Sequence, residues 1–71
     1  MSESKISVVI NGQAHQIVRG CTISQLLSEL EMQSTGIAVE INSEIQPGSE
    51  FATTTIKESD QIEIVSLVGG G

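Results

Sequence analysis

A chain of 71 residues forms one small domain, 1–71, whose core is too thin to enclose a catalytic cavity. At this size only about 60% of the surface exposed by the unfolded chain is buried. A formal charge of −6 opposes binding to nucleic-acid phosphates; it suits both docking on basic patches of partner proteins and plain solubility. A single cysteine excludes an internal disulfide, and with no signal-peptide pattern and no long apolar run the chain is expected in the cytoplasm, off the membrane.

After a polar, frayed start at 1–4, the stretch Lys5 to Ile10 alternates, with Ile6, Val8 and Ile10 in phase, the pattern of a half-buried strand. Asn11-Gly12 follows at once. Both residue types tolerate positive φ, so this pair predicts a two-residue hairpin turn, with Gln13 to Val18 as the returning strand. Arg19-Gly20 connects to a helix. Thr22 has the character of an N-cap, with Gln25 at the spacing of a capping box. Ile23, Leu26, Leu27 and Leu30 then recur at i, i+3, i+4 and i+7, one apolar stripe over about three turns. Stop signals gather from Gln33 to Gly36.

Ile37 to Ile41 reads as a third strand, turned by Asn42-Ser43 into a short partner, Glu44 to Gln46, which Pro47-Gly48 stops. Ser49 to Ile56 lacks periodicity, and Phe51, the one aromatic residue, is its expected core plug. Gln61 to Leu67 is the final strand after a turn at Glu58-Ser59-Asp60. A hairpin joined through one helix to further strands packs as one sheet with the helix across one face. The fold expected is therefore α+β, a β-grasp (ubiquitin-like) with a mixed sheet of four to five strands. The final strand should lie beside the first, at the sheet's centre, with a flexible glycine tail over 68–71.

Little in the chain reads as catalytic. His15 stands on a strand with no acid or serine at a motif spacing, and is read as an exposed strand residue. Cys21 lacks a neighbouring base and is read as a small structural residue at the helix entrance. The carboxylates Glu29, Glu31, Glu40 and Glu63 are scattered, as on solvated faces, so no metal ligands are assigned. The informative stretch is the end, Val68-Gly69-Gly70-Gly71. Glycines bring no packing and carry a high ordering cost, yet they pass through channels too narrow for a Cβ atom. One reading is an inert Gly-rich extension; the other is a tail that presents the Gly71 carboxylate to partners. Ile62 and Ile64 face the core in the alternation of the last strand, which puts Val65 and Leu67 on the opposite face, next to Val68, as a docking patch.

Five blocks, "VVINGQ" from Val8, "TISQLL" from Thr22, "IAVEIN.EI.P" from Ile37, "FATT" from Phe51 and "D.IEIV" from Asp60, together with the terminal "VGGG", resemble the thiamin-biosynthesis sulfur-carrier (ThiS) family. The likeness spans nearly the whole chain. The tail alone is shared by all ubiquitin-like carriers, whereas the middle block and the short length favour ThiS over the small subunit of molybdopterin synthase. The chain departs from the family pattern at Gly48, often Arg, at Phe51, often Trp, and at Ser59, where Gly is usual. The resemblance implies a carrier, not an enzyme, that binds no cofactor of its own and is a monomer when free. A ubiquitin-activating-type (ThiF-like) adenylyltransferase would use ATP and magnesium to adenylate Gly71. A cysteine desulfurase would supply sulfur to make a thiocarboxylate, and a ThiG-like thiazole synthase would consume it in building thiazole. The alternatives are sulfur delivery to molybdopterin or another pathway, and a ubiquitin-like modifier.

Overall fold

The computed structural model describes residues 4–33 and 35–67; the expectations of a frayed start at 1–3 and of a flexible tail over 68–71 lie outside them. The hairpin consists of β1, Lys5–Ile10, and β2, Gln13–Val18, in register from Lys5 opposite Val18 to Ile10 opposite Gln13. Asn11 and Gly12 both take positive φ, 49° and 82°, as a turn that matches the right-handed twist of its strands requires.

Helix α1 runs over Ile23–Glu29. Thr22 Oγ1 accepts from the Gln25 amide at 3.2 Å, and Gln25 Oε1 accepts from the Thr22 amide at 2.9 Å, the reciprocal capping box expected from their spacing. The amides of Ile23 and Ser24 donate to the carbonyls of Thr54 (3.1 Å) and Phe51 (3.0 Å). Every orphan donor of the first turn is thereby taken, so the helix start offers nothing to an external anion.

The helix stops about one turn before the signals at Gln33 to Gly36. Glu31 turns left-handed, φ 60°, its amide donating to Ser28 O at 3.0 Å while that of Met32 donates to Leu27 O at 2.8 Å. This is a Schellman termination with glutamate where glycine is usual, which is why no stop signal marks it.

Strands β3, Ile37–Ile41, and β4, Glu44–Gln46, pair antiparallel through the Asn42-Ser43 turn. The last strand, β5, spans Gln61–Ser66. It lies parallel to β1 and antiparallel to β3, giving a five-stranded mixed sheet in the order β2-β1-β5-β3-β4. The helix lies across one face, the β-grasp arrangement, with the final strand central as expected. Its core-facing residues Ile62 and Ile64 meet Ile41 and Val39 across β3, and pack with Ile6, Val8 and Ile10 of β1 and Ile23, Leu26 and Leu27 of α1. Each such side chain contributes about 1.5–3 kcal/mol by leaving water. Phe51 is buried in the same cluster, as expected of a plug. The stretch around it is more ordered than its lack of periodicity suggests. It holds a 3-10 turn, Gly48–Glu50, and a bridge from Thr55 to Thr22. The Ile56 amide donates to Cys21 O at 2.9 Å, so the loop is strapped to the helix entrance.

Candidate functional site

β5 brings the chain toward its end from the middle of the sheet. Because β5 is parallel to β1 but starts opposite Val9, it runs on past the turn where β1 ends. On its other side it remains paired with β3 through Ser66 opposite Ile37, and the Leu67 amide still donates to Gly36 O at 2.8 Å. Beyond the end of β1, β3 and the Gly36 carbonyl still hold the chain as far as Leu67. The assigned residues Val68, Gly69, Gly70 and Gly71 lie outside the described residues.

On the sheet face away from the helix, Val65 is 53% and Leu67 67% exposed, while Ile62 and Ile64 are buried on the other face. Val65 stands opposite half-buried Ala38 of β3. Two residues further along β3, Glu40 is opposite both Glu63 of β5 and Ile45 of β4. Ile45 is 72% exposed, more than either residue expected to form the patch. The apolar residues of this face thus run from Leu67 and Val65 to Ala38, with Ile45 diagonal to Ala38 in the row of the two carboxylates. Sequence reading passed over Ile45 because a three-residue strand has no phase of its own. Two isolated exposed apolar residues are ordinary, but a strip continuing from the strand that leads to the tail is a more specific surface.

Glu40 and Glu63 sit directly across from one another, an arrangement of like charge that destabilises a strand pair. A cationic group from outside relieves it. The strip with its acidic border therefore suits an apolar surface edged by Lys or Arg.

The other reactive side chains are placed for structure. Cys21 is buried, and its thiol donates to the Thr22 carbonyl at 3.4 Å. Burial first, and the negative charge of Glu29 second, push its pKa up from 9.0, so at neutral pH it is protonated and a poor nucleophile. His15, expected to be exposed, is instead half-buried on β2, where it stands opposite the core residue Val8. Among the described residues no group of three or more His, Cys, Asp or Glu could hold a metal ion, and no helix is long and apolar enough to cross a membrane.

The three departures from the family pattern have different physical weights. At Gly48 an added Cβ would meet nothing within 4 Å, so a side chain has room to begin there. Phe51 fills its core site and is 4% exposed. Ser59 has φ 70°, a left-handed conformation in which glycine is unstrained and serine is not.

Comparison with known proteins agrees with this geometry. The model of the ThiS family matches residues 8–71. The chain is 39% identical over 66 residues to a thiazole synthase of Paramagnetospirillum magneticum, covering 93% of this chain but only 20% of that protein's length. It is 32% identical over 66 residues to the sulfur carrier protein ThiS of Escherichia coli (strain K12), covering 93% of this chain and 100% of that one. A crystal structure of the thiamine biosynthesis protein (ThiS) from Geobacter metallireducens superposes with a TM-score of 0.81 at 29% identity, over 93% of this chain and 100% of that chain. With strand order, helix and terminal glycines all falling within these matches, the chain belongs to the ThiS family.

Proposed function

We propose that this protein is the sulfur carrier of thiazole formation in thiamin biosynthesis, with Gly71 as the residue that carries the sulfur. The observation that carries the reading is a match to a carrier family that continues to Gly71, joined to a central strand that aims the chain in that direction. A free carboxylate is a poor electrophile, because its charge repels nucleophiles and oxide is a very poor leaving group. In the reaction, a carboxylate oxygen of Gly71 attacks the α-phosphorus of ATP and pyrophosphate departs, leaving an acyl-adenylate. A persulfide generated by a cysteine desulfurase displaces AMP to give an acyl disulfide, and a thiol reductant cleaves its S–S bond to leave a thiocarboxylate. Thiazole synthase then draws on that nucleophilic sulfur.

ATP, magnesium and the catalytic groups belong to a ubiquitin-activating-type adenylyltransferase; this chain binds no cofactor and supplies a positioned substrate. The strip of Val65, Leu67 and Ile45 with Val68 is the surface on which that enzyme docks. Support for thiazole synthase as the consumer, in preference to a molybdopterin pathway, comes from the 39% identity to a segment of a protein named thiazole synthase. Carrier and consumer joined in one polypeptide gain a high effective concentration for each other.

The test is intact mass and peptide mapping after incubation with ATP, magnesium, the adenylyltransferase and a sulfur source. One oxygen-for-sulfur exchange is expected, located on the terminal peptide, trapped there by alkylation and absent from Cys21. Protein amidated at Gly71 should not load, because no carboxylate oxygen remains to attack phosphorus. Loading of the amidated protein, or no loading of the unmodified one with any enzyme of this type, overturns the proposal.

A further inference from the structure

The turn that ends β1 takes the chain away from β5 too early. In the parallel ladder the Val9 amide donates to Asp60 O at 3.0 Å and the Asn11 amide to Ile62 O at 2.9 Å. The next bonds of that ladder would join the Ile64 amide to the carbonyl of residue 11, and the Ile64 carbonyl to the amide of residue 13. Gly12 has by then turned the backbone back into β2. Ile64 is 7% exposed, and its backbone groups are costly to leave unpaired.

The Asn11 side chain supplies both missing partners. Its Oδ1 accepts from the Ile64 amide at 2.9 Å, and its Nδ2 donates to the Ile64 carbonyl at 3.3 Å. A carboxamide has the donor, the acceptor and the planarity of a peptide unit, and this orientation is the one that pairs each donor with an acceptor. Ile64 is the last core-facing residue before the tail, so the bond pair acts where β5 has outrun β1.

We propose that Asn11 is a positioning residue for the carrier tail, its carboxamide standing in for the strand residue that the hairpin turn removes. It holds the root of the tail against the hairpin, and so fixes the line along which Val65 to Leu67 lead into 68–71. As it bears on sulfur loading, the inference rests on the carrier reading above; as it bears on the root of the tail, it stands on the hydrogen bonds alone.

An internal control exists at the other end of the same strand. Asn42, also in a left-handed turn position at φ 53°, accepts from the Gln61 amide through Oδ1 at 3.0 Å and donates to Asp60 Oδ1 at 3.0 Å. Asn42 thus pins the start of β5 through one backbone amide, and Asn11 pins both backbone groups of Ile64 near its end.

The experiment compares N11D and N11G with N42G in the full chain. Aspartate and glycine both tolerate the turn conformation, so the hairpin is kept. N11D has the shape of the parent but turns an anionic oxygen toward the Ile64 carbonyl, while N11G leaves both groups unpaired. In both, exchange of the Ile64 amide should accelerate about 10-fold or more relative to that of Val39, and residual dipolar couplings of Val65 and Leu67 should change. N42G should spare those couplings. With adenylyltransferase, the N11 variants should adenylate about 10-fold or more slowly at saturating carrier, because a misplaced reacting group lowers kcat. N42G should stay within about threefold of the parent, since lost stability alone is overcome at saturation. Unchanged Ile64 exchange and couplings in the N11 variants overturn the inference whether or not the protein is a carrier. A parent that loads while N11D and N11G match N42G overturns the positioning role. A parent that never loads overturns the carrier reading, and the couplings still decide what Asn11 does.

Discussion

Ser59 and Glu31 hold positive φ, 70° and 60°, in places where glycine would be free of strain. A left-handed conformation costs a side-chain-bearing residue about 1–2 kcal/mol, offset in part by glycine's larger entropy when unfolded. S59G and E31G should therefore each stabilise the protein by up to about 1 kcal/mol, raising Tm by about 4–8 °C per kcal/mol in a domain of this size. The two sites serve separate turns, so the double variant should show nearly the sum. Cys21 makes a prediction of the opposite kind. Its folded pKa lies above 9.0, so as pH rises the unfolded thiol ionises first and unfolding is favoured. The contribution of Cys21 to stability is complete below that value and is lost as pH climbs through the folded pKa. Chemical denaturation at a series of alkaline pH values should show a loss of stability that C21A reduces, while C21A loads sulfur within about threefold of the parent, as a residue without a catalytic role should.

At the scale of elements, β5 has one face in the core and the other on the apolar strip. V65D/L67D should leave the far-UV circular dichroism native, because both side chains are exposed. It should weaken binding of the adenylyltransferase by about 10-fold or more, each buried apolar contact at a docking centre being worth upward of about 1 kcal/mol. I45D, on a different strand, should do the same if the strip acts as one surface. Native-strength binding by both variants would remove the strip from the docking model. Phe51 is the contrasting case. Inside the core, F51A should cost about 3–5 kcal/mol, enough to unfold most of a domain this small.

For the molecule as a whole, the three basic residues, Lys5, Arg19 and Lys57, gather around one region. Lys5 starts β1, Arg19 follows the end of β2 beside it, and Lys57 shares a groove with Arg19. The strip near the tail is bordered instead by Glu40 and Glu63. A net charge of −6 spread in this way favours approach of a basic partner surface to the acidic face; on the proposed function that partner is the adenylyltransferase. Association should slow as salt rises, and E63K should slow it several-fold at low salt with little change at high salt, where screening removes the difference. E63Q ends the like-charge opposition with Glu40 and should stabilise the protein by about 0.2–1 kcal/mol. Stopped-flow association and thermal melts read the two effects separately.

Local sequence dictates what neighbouring residues settle between them. The first hairpin follows from the Asn11-Gly12 pair between two alternating runs, and the helix start from Thr22 and Gln25. Strands β3 and β4 follow from phase and from Asn42-Ser43, and Ile62 and Ile64 are assigned inward by alternation alone. The central place expected for β5 follows from how such elements assemble, and the terminal glycines stand out because residues without side chains cannot build a core. The rest depends on contacts between segments far apart in the chain. Helix α1 ends early because Glu31 adopts a conformation that its residue type does not advertise. Ile45 joins Val65 and Leu67 because β3 and β4 bring it alongside. Asn11, read from the sequence as half of a turn, holds Ile64 across a separation of 53 residues. Periodicity and turn chemistry report interactions over a few residues, whereas these contacts exist only once the chain has closed its long loops, and a side chain that meets a distant strand leaves no pattern in the residues around it.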